Sequence, residues 1–119
     1  MNDLRPHRKL LGWKRSIELV TMVYRVTSSF PKSEQFGLTS QMRRAAVSVP
    51  SNLAKGAARK GKKEFRQFLN IAQGSISELD TQIKVARRLD YMTQEDYTNV
   101  IQELTEISKM LYGLARTLE

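Results

Sequence analysis

The sequence contains no cysteine and a single histidine, His7, among its 119 residues. Without thiols there is no disulfide, no thiolate zinc site and no cysteine nucleophile. One imidazole, placed in a polar leader segment, leaves no His–His pair for a metal and no convincing Ser-His-Asp set. Helical bundles that hold two metals use inward Glu residues with Glu-x-x-His pairs, and no Glu-x-x-His occurs here. Glu64, Glu78 and Asp80 fall among helical polar positions with nothing to mark them as general acids. The chain therefore reads as a non-enzyme with no cofactor and no metal. Long apolar runs are missing as well: nothing approaches the ~18 residues of a spanning helix. The start, Met1-Asn2-Asp3-Leu4-Arg5-Pro6-His7-Arg8-Lys9, lacks the apolar centre of a signal peptide. These absences point to a cytoplasmic protein with no membrane partner.

What is present is one domain's worth of chain with 40% hydrophobic residues and a net charge of +8. A chain of this length can bury roughly two-thirds of its unfolded surface and so fold without staples. The charge is unevenly spread. Residues 1–63 hold 14 Lys and Arg against three acids, whereas residues 64–119 hold six against nine. Such asymmetry predicts a basic patch rather than a uniformly solvated surface.

Apolar spacing divides the single domain, 1–119, into a basic leader (1–11) and four helices. Trp13, Ile17, Val20, Tyr24 and Thr27, thickened by Leu19, Val23 and Phe30, recur at steps of three and four and predict a helix over 12–29. Pro31 ends it, because the residue before a proline is pushed out of helical geometry. Leu38, Met42, Ala45, Ala46, Val49, Leu53 and Ala57 predict a second helix over 38–59. Pro50 interrupts that stripe without changing its phase, which predicts a kink rather than a break. Phe65, Phe68, Leu69, Ala72, Ile76, Leu79, Ile83, Ala86 and Leu89 hold one phase over 62–90. The fourth stripe, Tyr97 to Leu118, predicts a helix over 94–117. Thr93 followed by Asp96 gives it a capping-box start. Short links between four helices predict an all-α, antiparallel up-down-up-down bundle.

In such a bundle the start of helix one, the end of helix two, the start of helix three and the end of helix four share one pole. That pole collects Arg5, Arg8, Lys9, Lys14 and Arg15 from the leader and first turn. It adds Lys55, Arg59, Lys60, Lys62, Lys63 and Arg66 from the second connection, and Arg116 from the end of helix four. Unpaired N–H groups at the start of helix three favour anions there. The patch has no interleaved aromatic beyond Phe65 and Trp13, both on core stripes. Any nucleic acid should therefore be held by its backbone and in a salt-sensitive way. A second polar line on helix two (Gln41, Arg44, Ser48, Asn52) and one on helix three (Asn70, Gly74, Ser77, Thr81) predict a subunit or interhelix contact. Arg43 and Arg44 are expected to bridge to Glu78 or Asp80.

Several stretches are shared with a known family: Phe30-Pro31, Phe36-Gly37-Leu38-Thr39-Ser40-Gln41, and Arg43-Arg44-Ala45-Ala46-Val47-Ser48-Val49-Pro50-Ser51-Asn52-Leu53-Ala54-Lys55-Gly56. Glu64-Phe65, Phe68-Leu69, Ala72 and Gly74-Ser75 extend the likeness. From Trp13 to about Leu114 the chain resembles the 23S rRNA intervening-sequence protein family of bacterial four-helix bundles. It departs at Lys55, where the family commonly has Glu in an Asn-Ile-Ala-Glu-Gly block. The resemblance implies a left-handed up-down bundle assembled as a ring-shaped homopentamer. It also implies an architecture similar to the accessory variability proteins of diversity-generating retroelements, which associate with a reverse transcriptase and nucleic acid.

Two functional expectations follow. One is a non-catalytic homo-oligomer that binds nucleic acid, RNA favoured, through the basic pole. The other is a protein-interaction scaffold for an acidic partner or a polymerase-type enzyme.

Overall fold

The computed structural model describes residues 5–119, so the first four residues of the expected leader, including Asp3, lie outside the described residues. Among the described residues it contains four α-helices and no strand. These are α1 (Leu11–Thr27), α2 (Leu38–Ala57), α3 (Lys62–Arg88) and α4 (Gln94–Thr117). A 3-10 turn at Pro6–Lys9 precedes α1, and another at Lys32–Glu34 lies in the first connection. A helix rises 1.5 Å per residue, so α3 is about 40 Å long and spans nearly all of the 43 Å longest dimension.

Helix ends are set by local chemistry. α1 stops two residues before the sequence-based boundary, with Ser28 closing it: its N–H donates to the Tyr24 carbonyl at 3.1 Å and its Oγ to the Arg25 carbonyl at 2.6 Å. The Thr93 hydroxyl accepts the Asp96 N–H at 3.1 Å, capping α4. α3 closes with Asp90 in the left-handed region, φ 61°. There the Tyr91 N–H donates to the Ala86 carbonyl (2.9 Å) and the Asp90 N–H to the Arg87 carbonyl (3.1 Å). That pair of bonds is a Schellman closure, with aspartate where glycine is usual.

Side chains from all four helices meet in one core. Leu19 and Val23 of α1 join Met42, Ala46, Val49 and Leu53 of α2, Leu69, Leu79 and Ile83 of α3, and Leu104, Ile107 and Leu111 of α4. The centres of the expected stripes of α2, α3 and α4 are buried, their ends (Leu38, Ala57, Phe65, Phe68, Tyr97, Leu114 and Leu118) and Ile101 are half-buried, and Leu89 is exposed. The stripe of α1 is only partly buried. Its Leu19, Val23 and Thr27 are buried, but Ile17 and Tyr24 are 40% and 44% exposed and Ser16 is buried in their stead. Two hydroxyls can occupy that face because each is satisfied within its own helix. Ser16 Oγ donates to the Trp13 carbonyl (2.8 Å) and Thr27 Oγ1 to the Val23 carbonyl (2.7 Å).

Contacts between helices place their ends. A Cβ added to Gly12 at the start of α1 would meet Leu111 of late α4 at 3.2 Å and Leu53 of late α2 at 4.0 Å. Gly56 at the end of α2 lies against Phe65 and Phe68 of early α3. Arg66 donates to the carbonyl of Leu118, just past α4. At the other end, Arg43 of α2 reaches the last turn of α1, and the Tyr91 hydroxyl donates to Glu34 across the two connections.

Candidate nucleic-acid interface

Those contacts bring the leader, the α2–α3 link and the end of α4 to one pole of the molecule. Gly56 is what lets the link form there. A Cβ in its place would fall 2.8 Å from Phe65 Cδ1 and 3.2 Å from the Phe65 carbonyl oxygen, so only a glycine allows α2 and α3 to approach this closely. Ala58 then closes α2 by donating to the Ala54 carbonyl (3.2 Å), and four residues later α3 begins. Gly61, the residue before α3, caps it with no side chain.

Lys9, Lys14, Lys55, Arg59, Lys60, Lys62 and Lys63 are all exposed at or next to this pole. The Arg59 guanidinium lies over the Phe68 ring, 4.8 Å from its centre, a cation–π contact made by a residue that is still exposed. Arg8, also exposed, stands 5.5 Å from the centre of the Trp13 ring, whose edge meets His7. Glu64 is the one acid in the first turn of α3, where the helix dipole favours a carboxylate.

Two members of the expected set have other work. Arg15 is committed to Glu103 of α4 through Nε–Oε1 at 2.8 Å and Nη2–Oε2 at 2.9 Å. The hydrogen bond and charge of Glu103 raise the Arg15 pKa further above its usual value. Arg15 is thus a neutralised clasp between α1 and α4 and is removed from the phosphate-binding set. Arg66, half-buried, donates Nη1 to the Leu118 carbonyl at 3.0 Å. It closes the C-terminal end of α4 and lends the pole only its remaining donors.

The polar lines on the second faces divide in the same way. Ser48 and Asn52 belong to a seam between α2 and α3. Asn52 Nδ2 donates to the Ser48 carbonyl (2.8 Å) and Oγ (2.9 Å), and Ser75 Oγ donates to Ser48 Oγ at 2.8 Å. Ser75, which the sequence reading left out, is the α3 side of that seam. It lies between Ala72 and Leu79 at helical spacing, so its burial was legible. Gln41 and Arg44 line a small cleft with Ala45, Ser48 and Glu78. On α3, Asn70, Gly74, Ser77 and Thr81 are exposed, nothing lies within 4 Å of a Cβ built on Gly74, and Thr81 bonds back to the Ser77 carbonyl. They do not form the α2–α3 contact, because that helix turns Leu69, Ala72, Ser75 and Ile76 inward. Arg43 corrects a further expectation. It turns to α1 rather than α3, donating to Thr27 Oγ1 (2.9 Å) and the Tyr24 carbonyl (3.3 Å), with its guanidinium 4.4 Å over the Tyr24 ring.

The far end carries a different kind of polar group. Glu34 accepts the Leu38 N–H at the start of α2 (3.1 Å) with one oxygen and the Tyr91 hydroxyl (3.0 Å) with the other. Among the described residues no three His, Asp or Glu side chains are grouped as metal ligands, and no helix is long and apolar enough to cross a membrane.

Comparison with known proteins agrees with this architecture. A solved structure from Bacteroides thetaiotaomicron, described as a protein of unknown function from the S23 ribosomal protein family, superposes with a TM-score of 0.79. The match covers 88% of this chain and 98% of that one at 22% identity, a likeness of fold. No curated protein matches the chain. The family model for 23S rRNA-intervening sequence proteins matches residues 8–113, so the chain belongs to the 23S rRNA-intervening sequence protein family.

Proposed function

We propose that this protein is a non-catalytic, homo-oligomeric helical bundle of the cytoplasm that binds nucleic acid, RNA before DNA, through its basic pole. The observation that carries the reading is the exposed group Lys60, Lys62 and Lys63 around Gly61, with Lys9, Lys14, Lys55 and Arg59 beside it. Cations gathered at one end and left in water raise the local potential and attract a polyanion more than a small ligand. The family's description names an rRNA sequence, which makes RNA the first polyanion to test.

The architecture in this proposal is an antiparallel up-down-up-down bundle with α2 kinked at Pro50. Contacts of early α1 with late α2, late α2 with early α3, and early α3 with the end of α4 support the first part. Buried Pro50 supports the second, since it has no N–H to give the Ala46 carbonyl. A homo-oligomer, pentameric by family resemblance, is supported by apolar side chains exposed in the single chain. Ile71, Val85 and Leu89 on and just past α3 and Tyr112 on α4 are each 43–59% exposed. In a cyclic ring every subunit points the same way along the axis, so the basic poles form one rim.

A salt titration tests the reading. With about six phosphate contacts, affinity for an RNA duplex falls about 10³-fold between 50 and 200 mM salt. Binding that ignores salt, or none at low salt, rejects it. Capture of an acidic protein that survives nuclease treatment favours the scaffold reading instead. Sedimentation with and without RNA reads the assembly.

A further inference from the structure

Beyond the pole, a groove of about 730 Å³ runs along the outer side of α2, from Phe36 at one end to Lys55 at the other. We propose that this groove is a track for single-stranded nucleic acid, with Phe36 as the platform on which a base stacks. The inference rests on the nucleic-acid reading above and adds to it a strand preference and a second set of residues.

Charge selects the class of occupant. Arg43, Arg44 and Lys55 line the groove, and among the described residues no carboxylate does. Both acceptors that Arg43 meets, Thr27 Oγ1 and the Tyr24 carbonyl, are neutral. Between the cations, short hydroxyl side chains, Ser40, Ser48 and Ser51, line the groove beside Val47 and Asn52 and let a sugar-phosphate backbone come close. From Leu38 to Lys55 the helix rises about 26 Å, a length that suits an extended polymer. Lys55 lies one turn before Arg59, so the track continues into the pole.

Phe36 selects the single strand. It is 90% exposed, and so gives the core almost nothing. Yet it is held in place. Gly37 N–H donates to the Glu34 carbonyl at 3.0 Å, and the Glu34 side chain is fixed between the Leu38 N–H and the Tyr91 hydroxyl. A second flat surface lies along the same groove, where the Arg43 guanidinium covers the Tyr24 ring. A positive groove with aromatic and arginine faces is the arrangement that holds unpaired bases without reading their sequence. Paired bases in a duplex have no face to offer Phe36.

The test uses the whole chain, fluorescence anisotropy, an unstructured RNA strand of about 12 nucleotides and an RNA duplex. Phe36→Ala is expected to weaken the strand about 5- to 100-fold, with the salt slope and the duplex affinity unchanged. Arg44→Ala is expected to lower the strand's salt slope by about 0.7. A variant with the wild-type melting temperature excludes misfolding. If wild type binds both probes in a salt-sensitive way and Phe36→Ala changes neither, the track is wrong and the basic pole stands. If wild type binds neither probe at low salt, both readings fall. If Phe36→Ala alters sedimentation without RNA, Phe36 is covered by a second copy and the track is overturned.

Discussion

The two ends of this bundle hold polar side chains on opposite terms. At the end where α1 meets α2, and α3 meets α4, several polar groups have assigned partners. Glu34 caps α2 and holds Tyr91, Thr93 caps α4, and Arg87 bonds Asp90, Gln94 and the Met92 carbonyl. At the other end Lys9, Lys14, Lys55, Lys60, Lys62 and Lys63 are exposed to solvent, and Arg15, which does have a carboxylate, points to α4. Satisfied polar groups position backbone. A crowd of solvated like charges does nothing for folding and costs some self-repulsion. The difference separates residues that build the bundle from residues whose charge the fold does not use.

Charge reversal is the strongest way to break that contrast. Lys60→Glu, Lys62→Glu and Lys63→Glu together remove three phosphate contacts, and the slope of log affinity against log salt falls by about 2.7 for duplex RNA. Binding at 100 mM salt drops at least about 100-fold, while the melting temperature holds or rises. Reversing Lys32, Lys84 and Arg88 changes net charge equally and is expected to leave binding nearly intact. Equal losses from both triple variants mean that net charge alone matters, and the two ends are then not functionally distinct.

The next largest effect is steric and moves stability. Gly56→Val pushes a branched side chain into Phe65 and Phe68, where even a Cβ is too close. Overpacking of this kind costs about 1–3 kcal/mol, read as a lower denaturant midpoint. Because Gly56 sits beneath the link, the variant also splays the basic pole and weakens RNA binding. Stability lost with binding kept would show that the pole works without a fixed geometry.

How much of this was legible in residue order depends on the range of the interaction. Stripes such as Leu69, Ala72, Ile76, Leu79 and Ile83 were readable because 3.6-residue periodicity is local. So was the Thr93–Asp96 cap. On α1 the stripe placed Leu19, Val23 and Thr27 correctly but missed Ser16, which buries a hydroxyl that bonds back to its own helix, while Ile17 and Tyr24 stay outside. Hydropathy ranks those three side chains in the wrong order. Pair contacts across the bundle were not legible. Arg15 with Glu103 spans 88 residues and Glu34 with Tyr91 spans 57, and nothing in the spacing names a partner that far away. Phe36 was readable as a loop residue but not as an exposed ring beside a cationic groove. That placement needs the length of α2 to carry Lys55 and Arg44 along the same side.

A smaller test concerns the cap. Thr93→Ala removes the acceptor for the Asp96 N–H and is expected to cost about 1 kcal/mol, seen as a lower melting temperature with unchanged RNA affinity. Thr93→Ser keeps the acceptor and is expected to recover most of the loss. A change in RNA affinity in either variant would link the two ends and blur the contrast between them.

The smallest effect is one of pH. The hydrogen bond to Glu34, with burial and the Glu34 charge adding to it, raises the Tyr91 pKa above the ordinary tyrosine value of 10.0. A raised phenol pKa means that the native state holds the proton more tightly than the unfolded chain does. The Tyr91–Glu34 bond therefore contributes fully below about pH 10, and its contribution fades as pH climbs through the native value. Tyr91→Phe is expected to melt lower than wild type at neutral pH, with the gap closing in strong alkali. A difference titration of tyrosinate absorbance, wild type minus variant, should show one phenol ionising above 10.0. A component at or below that value means that Glu34 does not hold Tyr91 in solution, and that end is looser than its hydrogen bonds imply.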